Sequence, residues 1–371
     1  MTEWESLLDA GRELLWETLQ ATGRHVVLWG MGNGADKILS VMEDRGIPCA
    51  GVFASDGFRQ GKCYRGMTVV SRREIYARYG AGNVTVLLSF ASSRPEVLES
   101  IRGVMGETEL YAPDVPVCGE TLFDAAFARA HREELLAARS LLADEESRRI
   151  FDLTVCYKLT GKPDYLFRAV SDPARVMREL VRPAEIRTAL DLGAYTGDTV
   201  RELLDAGAKP EKIYAVEPDA RTFRKLTAYA AQEERTCVVP VSAAAWNRRE
   251  TLTLDADGNR GSSLMGGKTR RQVPVAGIPA DEILGAACAD YIKFDVEGAE
   301  REALEGAAEH IGRDLPTLLV SLYHRSEDLY ALPLWIRSRF PEYGGLYLRR
   351  FAGLPAWDLN LYVRREDGGE K

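Results

Sequence analysis

The sequence predicts an α/β protein built from two sheet-bearing blocks joined by helices. Short apolar runs alternate with helical stretches twice, first over residues 25–112 and again from residue 187. Such alternation implies parallel sheets covered on both faces. Residues 120–160 contain no comparable strand, and 371 residues are too many for one ordinary domain. The expected boundaries are a first domain at 1–117, a helical connector at 118–182 and a second domain at 183–371.

Trp4, Leu7, Leu8, Leu14, Leu15 and Leu19 recur at helical spacing and predict one amphipathic helix over 3–20. HVVLW and CAGVF read as strands on either side of a helix at 33–45. SRREIYARY is a helix, VTVLLSF a strand, PEVLESI a helix and TELYA a last strand. The stretch from 119 to 153, rich in Ala, Leu, Glu and Arg, is helical with one packed side, and KPDYLF breaks it. In the second block RTALDLG, KIYAVEP, TCVVPV, ADYIKFD and TLLVSLY are strands, with helices after the first, second and fourth. LYLRR and DLNLYVRR close the sheet as an antiparallel edge pair, and the tail EDGGEK is expected to be disordered.

The composition removes several function classes. The net charge is −8, and Lys and Arg are scattered among the acids, so no basic stripe awaits nucleic acid. The acidic start MTEWESLLDAG is not a secretion signal, and runs such as LLVSLY are too short for a membrane span. A cytoplasmic protein is expected, possible as a homo-oligomer. Cys49, Cys63, Cys118, Cys156, Cys237 and Cys288 form no C-x-x-C pair, and the four histidines are far apart. No metal site is expected from these.

Two glycine turns compete for the chemistry. In Asp191-Leu192-Gly193-Ala194-Tyr195-Thr196-Gly197 an acid ends the strand and two glycines follow, four residues apart. Glycines allow close backbone approach to a ligand, and the acid repels a pyrophosphate while suiting a cation. S-adenosylmethionine, with a sulfonium, an ammonium and no phosphate, meets that requirement. The next strand ends in Glu217 and Pro218, where a carboxylate can accept from both ribose hydroxyls. In ADYIKFDVEGAE, alternation puts Lys293 and Asp295 on one face of a strand whose carboxyl end borders the ligand crevice. Glu297 and Glu300 also suit the positive end of the helix that follows.

ALDLGAYTGDT, YAVEPD, YIKFDVEGAE and LVSLYHRSEDL resemble, in order and spacing, the FkbM family of S-adenosylmethionine-dependent methyltransferases over roughly residues 185–365. The resemblance implies a class I methyltransferase (Rossmann-like) fold, S-adenosylmethionine as cofactor and O-methylation of a sugar, glycan, glycolipid or polyketide hydroxyl. The pattern falls here on Asp191, Gly193, Gly197, Glu217, Lys293, Asp295, Glu297, Gly298, Glu300 and His324. A cofactor wall is thus expected from Asp191, Gly193, Ala194, Tyr195, Gly197, Glu217, Pro218 and Glu297. The catalytic set is Asp295, His324 and Lys293, with Asp295 or His324 removing the acceptor proton. An Asp-Glu-His metal site ranks lower, because Glu297 should point away from Asp295 if the strand continues. For Ser262 and Ser263 two readings stand, a loop that reaches the ligand and a plain glycine-rich turn.

The first turn, Gly30-Met31-Gly32-Asn33-Gly34, has no acid before its glycines, so it can accept phosphate, with Asp56 at the next strand end for ribose. Residues 24–115 resemble the nucleotide-sugar domain of bacterial sugar acyltransferases. Two alternatives therefore accompany methyl transfer: an NAD-dependent oxidoreductase using this turn, and a non-catalytic nucleotide-sugar-binding protein.

Overall fold

The computed structural model describes residues 1–55, 57, 61–255 and 272–365. Asp56, Ser262, Ser263 and the tail from 366 lie outside the described residues. The first sheet is formed by β1 (His25–Trp29), β2 (Gly51–Ala54), β3 (Cys63–Tyr64), β4 (Met67–Ser71), β5 (Val84–Leu88) and β6 (Glu109–Tyr111). Its order is β3-β4-β2-β1-β5-β6. Helices Leu15–Ala21 and Asn33–Asp44 bury Trp16, Leu19, Ile38 and Met42 on one face. Helices Arg72–Tyr79 and Pro95–Glu107 bury Ile75, Leu98 and Ile101 on the other.

The second domain holds β7 (Thr188–Leu192), β8 (Lys212–Val216), β9 (Cys237–Val241), β10 (Ala244–Ala245), β11 (Glu250–Asp255), β12 (Gln272–Ile278), β13 (Tyr291–Phe294), β14 (Thr317–Ser321), β15 (Gly345–Arg350) and β16 (Leu359–Arg364). The main sheet runs β15-β16-β14-β13-β7-β8-β9, with β16 antiparallel to both its neighbours. The strand order reverses between β7 and β13, and a ligand crevice opens at the carboxyl ends of strands at such a point. The glycine turn follows β7 and Asp295 follows β13, so the topology brings the two motifs together.

Several elements differ from expectation. The leading helix is two helices, Glu3–Ala10 and Leu15–Ala21, because Gly11 ends the first in the left-handed conformation (φ 60°). The hairpin β3–β4 and the small sheet β10-β12-β11 were not anticipated. A helix at Asp328–Arg339 follows β14 despite Pro333 within it. The connector is not packed on one side only. Its helix Glu145–Thr160 is buried continuously from Leu153 to Thr160 and contributes to the cores of both domains. Among its buried polar side chains, Lys158 is met inside by Asp114 and the Thr160 hydroxyl by the Cys156 carbonyl. Among the described residues no helix is long and apolar enough to cross a membrane.

Candidate active site

A cavity of about 530 Å³ opens at the carboxyl ends of β7, β8 and β13. Gly193, Tyr195, Glu217 and Pro218 line one part, and Lys293, Asp295, Glu297 and Tyr323 another. Asp191, Ala194, Gly197 and His324 are not among the residues that line it.

Each exception has a packing reason. The parallel register sets Lys293 beside Asp191, and Lys293 Nζ donates to Asp191 Oδ1 at 3.2 Å and to the Gly193 carbonyl at 3.3 Å. Asp191 is thus the buried partner of a lysine, not a free anion for a ligand. Burial disfavours the Lys293 ammonium, yet Asp191 and Asp295 together hold it protonated above its ordinary range. Gly193 and Gly197 both have φ of 84°, and the space above each is filled by protein. A Cβ on Gly193 would lie 1.8 Å from the Asp295 carbonyl, and one on Gly197 would lie 2.4 Å from the Tyr229 ring. These glycines let the turn close on its own domain; their absent side chains are not a cradle.

Glu217 remains on the wall. One carboxylate oxygen accepts from the Tyr195 amide at 3.0 Å, the other from the Asp219 amide at 2.8 Å and Thr222 Oγ1 at 2.9 Å. Burial nevertheless pushes its pKa from 4.5 up to about 7, because those donors only partly replace lost water.

Across the cavity, Asp295 Oδ1 accepts from Ser321 Oγ and Tyr323 Oη, both at 3.0 Å, and Lys293 Nζ is 3.5 Å from Oδ2. Burial works against the charge, but Lys293 and His324 keep Asp295 ionised below its ordinary pKa. β13 ends at Phe294, so alternation stops there. Glu297 adopts φ 53°, and its Oε2 turns back to 3.6 Å from His324 Nε2. The expectation that Glu297 points away from Asp295 is thereby overturned. Burial raises Glu297 to about 7.

His324 is fully buried behind these acids. Its Nδ1 is 2.9 Å from Glu300 Oε1, and its Nε2 is 3.6 Å from Asp295 Oδ1. Burial opposes its charge, but Glu300, Glu297 and Asp295 outweigh that and hold the ring protonated well above its usual pKa. Enclosed behind the acids, the ring reaches the cavity only through Asp295 and Glu297. Sequence reasoning missed the lining residues Asp198, Glu202, Asp358 and Ser93. Asp198 and Glu202 stand four apart on the helix after the glycine turn, and that spacing was the available signal. Ser93 belongs to the first domain, and nothing local marked it.

The wall carries the carboxylates of Asp198, Glu202, Glu217, Asp295, Glu297 and Asp358 against the ammonium of Lys293 among the described residues. Over residues 191–344 the chain is similar to the methyltransferase FkbM domain. A crystal structure of methyltransferase FkbM from Methylobacillus flagellatus KT resembles the whole fold, with TM-score 0.68 and 20% identity over 97% of this chain and 98% of that one. At that identity the likeness shows a shared fold, both sheets included. An rRNA methylase from Streptococcus thermophilus aligns with TM-score 0.34 and 10% identity over 55% of this chain and 96% of its own, too loosely to carry an argument. A comparison with curated proteins finds no match. None of these comparisons supports the resemblance of the first domain to sugar acyltransferases.

The first glycine turn has a structural explanation. A Cβ on Gly30 would meet Ser89 Oγ and the Phe90 ring at 2.8 Å, and one on Gly34 would meet the Ser89 carbonyl at 2.5 Å. Gly32 has open space, but Tyr64 Oη lies 3.3 Å from its carbonyl and donates to Asp36 at 2.7 Å. The Asp36 carboxylate in the first turn of the helix opposes a phosphate there. That Asp36 carboxylate is itself paired with Arg65 at 2.8 Å, and the close contacts at Gly30 and Gly34 account for two of the three glycines by packing.

Proposed function

We propose that the protein transfers the methyl group of S-adenosylmethionine to a hydroxyl of a sugar, glycan or glycolipid. The observation that carries this reading is the acidity of the shared cavity, with six acidic side chains, Glu217 and Glu297 about half ionised at neutral pH, facing one ammonium. Such a wall favours a cationic donor and disfavours the pyrophosphate of NAD or of a nucleotide sugar. The donor residues fit the group: Glu217 presents carboxylate oxygens beside the Tyr195 amide, suited to ribose hydroxyls. When bound, the cofactor supplies a methyl already activated by the sulfonium.

The chain then has two tasks, alignment and proton removal. Asp295 stands across the cavity from Glu217, ionised and fixed by Ser321 and Tyr323. With the cofactor bound, Asp295 would accept the proton of the acceptor hydroxyl as that oxygen is methylated. Lys293 anchors Asp295 to the glycine turn and need not touch the acceptor. A sugar acceptor is supported by the exposed Trp357, whose ring is 6.5 Å from that of Tyr323 in a stacked arrangement beside the cavity. The apolar face of a pyranose can pack on such rings.

Calorimetry with S-adenosylmethionine and S-adenosylhomocysteine tests the cofactor, and mass spectrometry of glycans incubated with the protein tests the acceptor. Binding of either compound, with methyl gain on a glycan oxygen, is the expected result. Tight NADH binding with no affinity for either sulfur compound would refute it.

A further inference from the structure

His324 is the fixed point. It is fully buried, and its Nε2 makes no hydrogen bond. That atom faces Asp295 Oδ1 and Glu297 Oε2, each 3.6 Å away. The separation exceeds a good hydrogen bond. It is close to the spacing of about 3.0–3.4 Å between adjacent ligand atoms around a first-row divalent ion with bonds of about 2.1 Å. The other ring nitrogen is committed to Glu300, whose second oxygen, Oε2, is likewise buried without a hydrogen bond. A carboxylate on Nδ1 that leaves Nε2 aimed outward is how proteins orient a metal-binding histidine. Ser321 and Tyr323 orient Asp295 in the same way from behind. Asp295, Glu300 and His324 form a cluster whose ligand atoms lie within 4.8 Å of one another, and Glu297 Oε2 joins it at 3.6 Å from Nε2.

We infer that His324 Nε2, which gives up its proton to solvent as the ion enters, binds a divalent first-row cation at the cavity wall together with Asp295 and Glu297, with Glu300 orienting the histidine. An imidazole with carboxylates suits Mn²⁺, Fe²⁺ or Zn²⁺ better than an all-oxygen cage for Ca²⁺. Asp295 and Glu297 both line the cavity, so a coordination position opens toward the acceptor. An acceptor hydroxyl bound there has its pKa lowered by the ion, and its proton leaves more readily to a neighbouring carboxylate. What the ion does for methyl transfer rests on the function proposed above; the binding itself does not.

The test uses the full chain, stripped with a chelator and titrated with MnCl₂ while the electron paramagnetic resonance signal of free Mn²⁺ is followed. One equivalent should bind the wild-type protein. Asp295→Asn and His324→Gln should each weaken binding at least about tenfold. Asp295→Asn, the milder change, should keep the wild-type circular dichroism spectrum and a cooperative thermal melt, which shows that it is folded. No stoichiometric binding of Mn²⁺ or Zn²⁺ to the wild type at millimolar concentration, or wild-type binding by folded Asp295→Asn, overturns the site. Mn²⁺ binding without affinity for S-adenosylhomocysteine would instead overturn the methyl-transfer reading and leave the cation site standing.

Discussion

Cofactor affinity should rise between pH 6 and 8, with Glu217 as the cause. Its carboxyl titrates at about 7 in the free protein because it is buried beneath the cavity wall. At pH 6 the group is therefore mostly protonated. A ribose that donates two hydroxyls needs the ionised form, so binding at pH 6 must first expel a proton. With the folded value near 7, affinity at pH 6 should be about tenfold weaker than at pH 8. The sign also holds for stability. A carboxyl whose folded pKa lies above its unfolded value stabilises the fold fully below the unfolded value, 4.5, and loses this as pH rises through about 7. The gap corresponds to on the order of 3 kcal/mol for the free protein. Calorimetry of S-adenosylhomocysteine binding at pH 6, 7 and 8 reads the affinity slope. Glu217→Gln should bind more weakly at pH 8 and lose the slope. A flat wild-type profile would refute the reasoning. A slope retained in Glu217→Gln would shift the cause to Glu297, which also titrates at about 7.

Three further outcomes follow from the packing. Gly193→Ala puts a Cβ 1.8 Å from the Asp295 carbonyl at φ 84°, so it should destabilise by roughly 2 kcal/mol or more and abolish cofactor binding, read by thermal melting and calorimetry. Lys293→Met strands the buried Asp191 and should cost about 3–5 kcal/mol in chemical denaturation, with much of the loss recovered in the Asp191→Asn double variant. Asp295→Asn should lower turnover by ~10²-fold or more with cofactor affinity nearly unchanged, and its loss should not add to that of His324→Ala, because the two residues act as one unit.

The second sheet was largely legible because its strands are apolar runs of the right length and its end pair alternates. The missed elements lack those signals. β3 has two residues, and β10 likewise. Pro333 hides the helix Asp328–Arg339, and Gly11, the residue that splits the first helix, was absorbed into its apolar stripe. The site divides along the same line. Motif spacing brought Glu217, Lys293 and Asp295 to one crevice, since topology alone puts strand ends there. It could not show that Asp191 is consumed by Lys293, because that pairing depends on the register of β7 against β13. Nor could it show Glu297 turning back, because one residue at φ 53° cancels the alternation on which the expectation rested.

The first domain's glycine turn also gains a meaning that no ligand is needed to explain. Its helix carries Lys37, whose Nζ donates at 2.7 Å to the carbonyls of both Pro116 and Val117. Asp114, in the same strap, is held from the connector by the buried Lys158 at 2.5 Å. The strap then grips the active site. The Cys118 amide donates to the His324 carbonyl at 2.9 Å, and its thiol donates to the Glu297 carbonyl at 2.9 Å. Gly298 permits that approach, since a Cβ there would lie 2.8 Å from Cys118 Cβ. A second link runs from Ser92 to Leu354 through two backbone hydrogen bonds of 2.8 and 3.0 Å, and this brings Ser93 to the cavity wall. Catalytic groups must be held within fractions of an ångström by their supports. The turn at Glu297 is held from the first domain's side, so the two sheets form one mechanical unit around the candidate site.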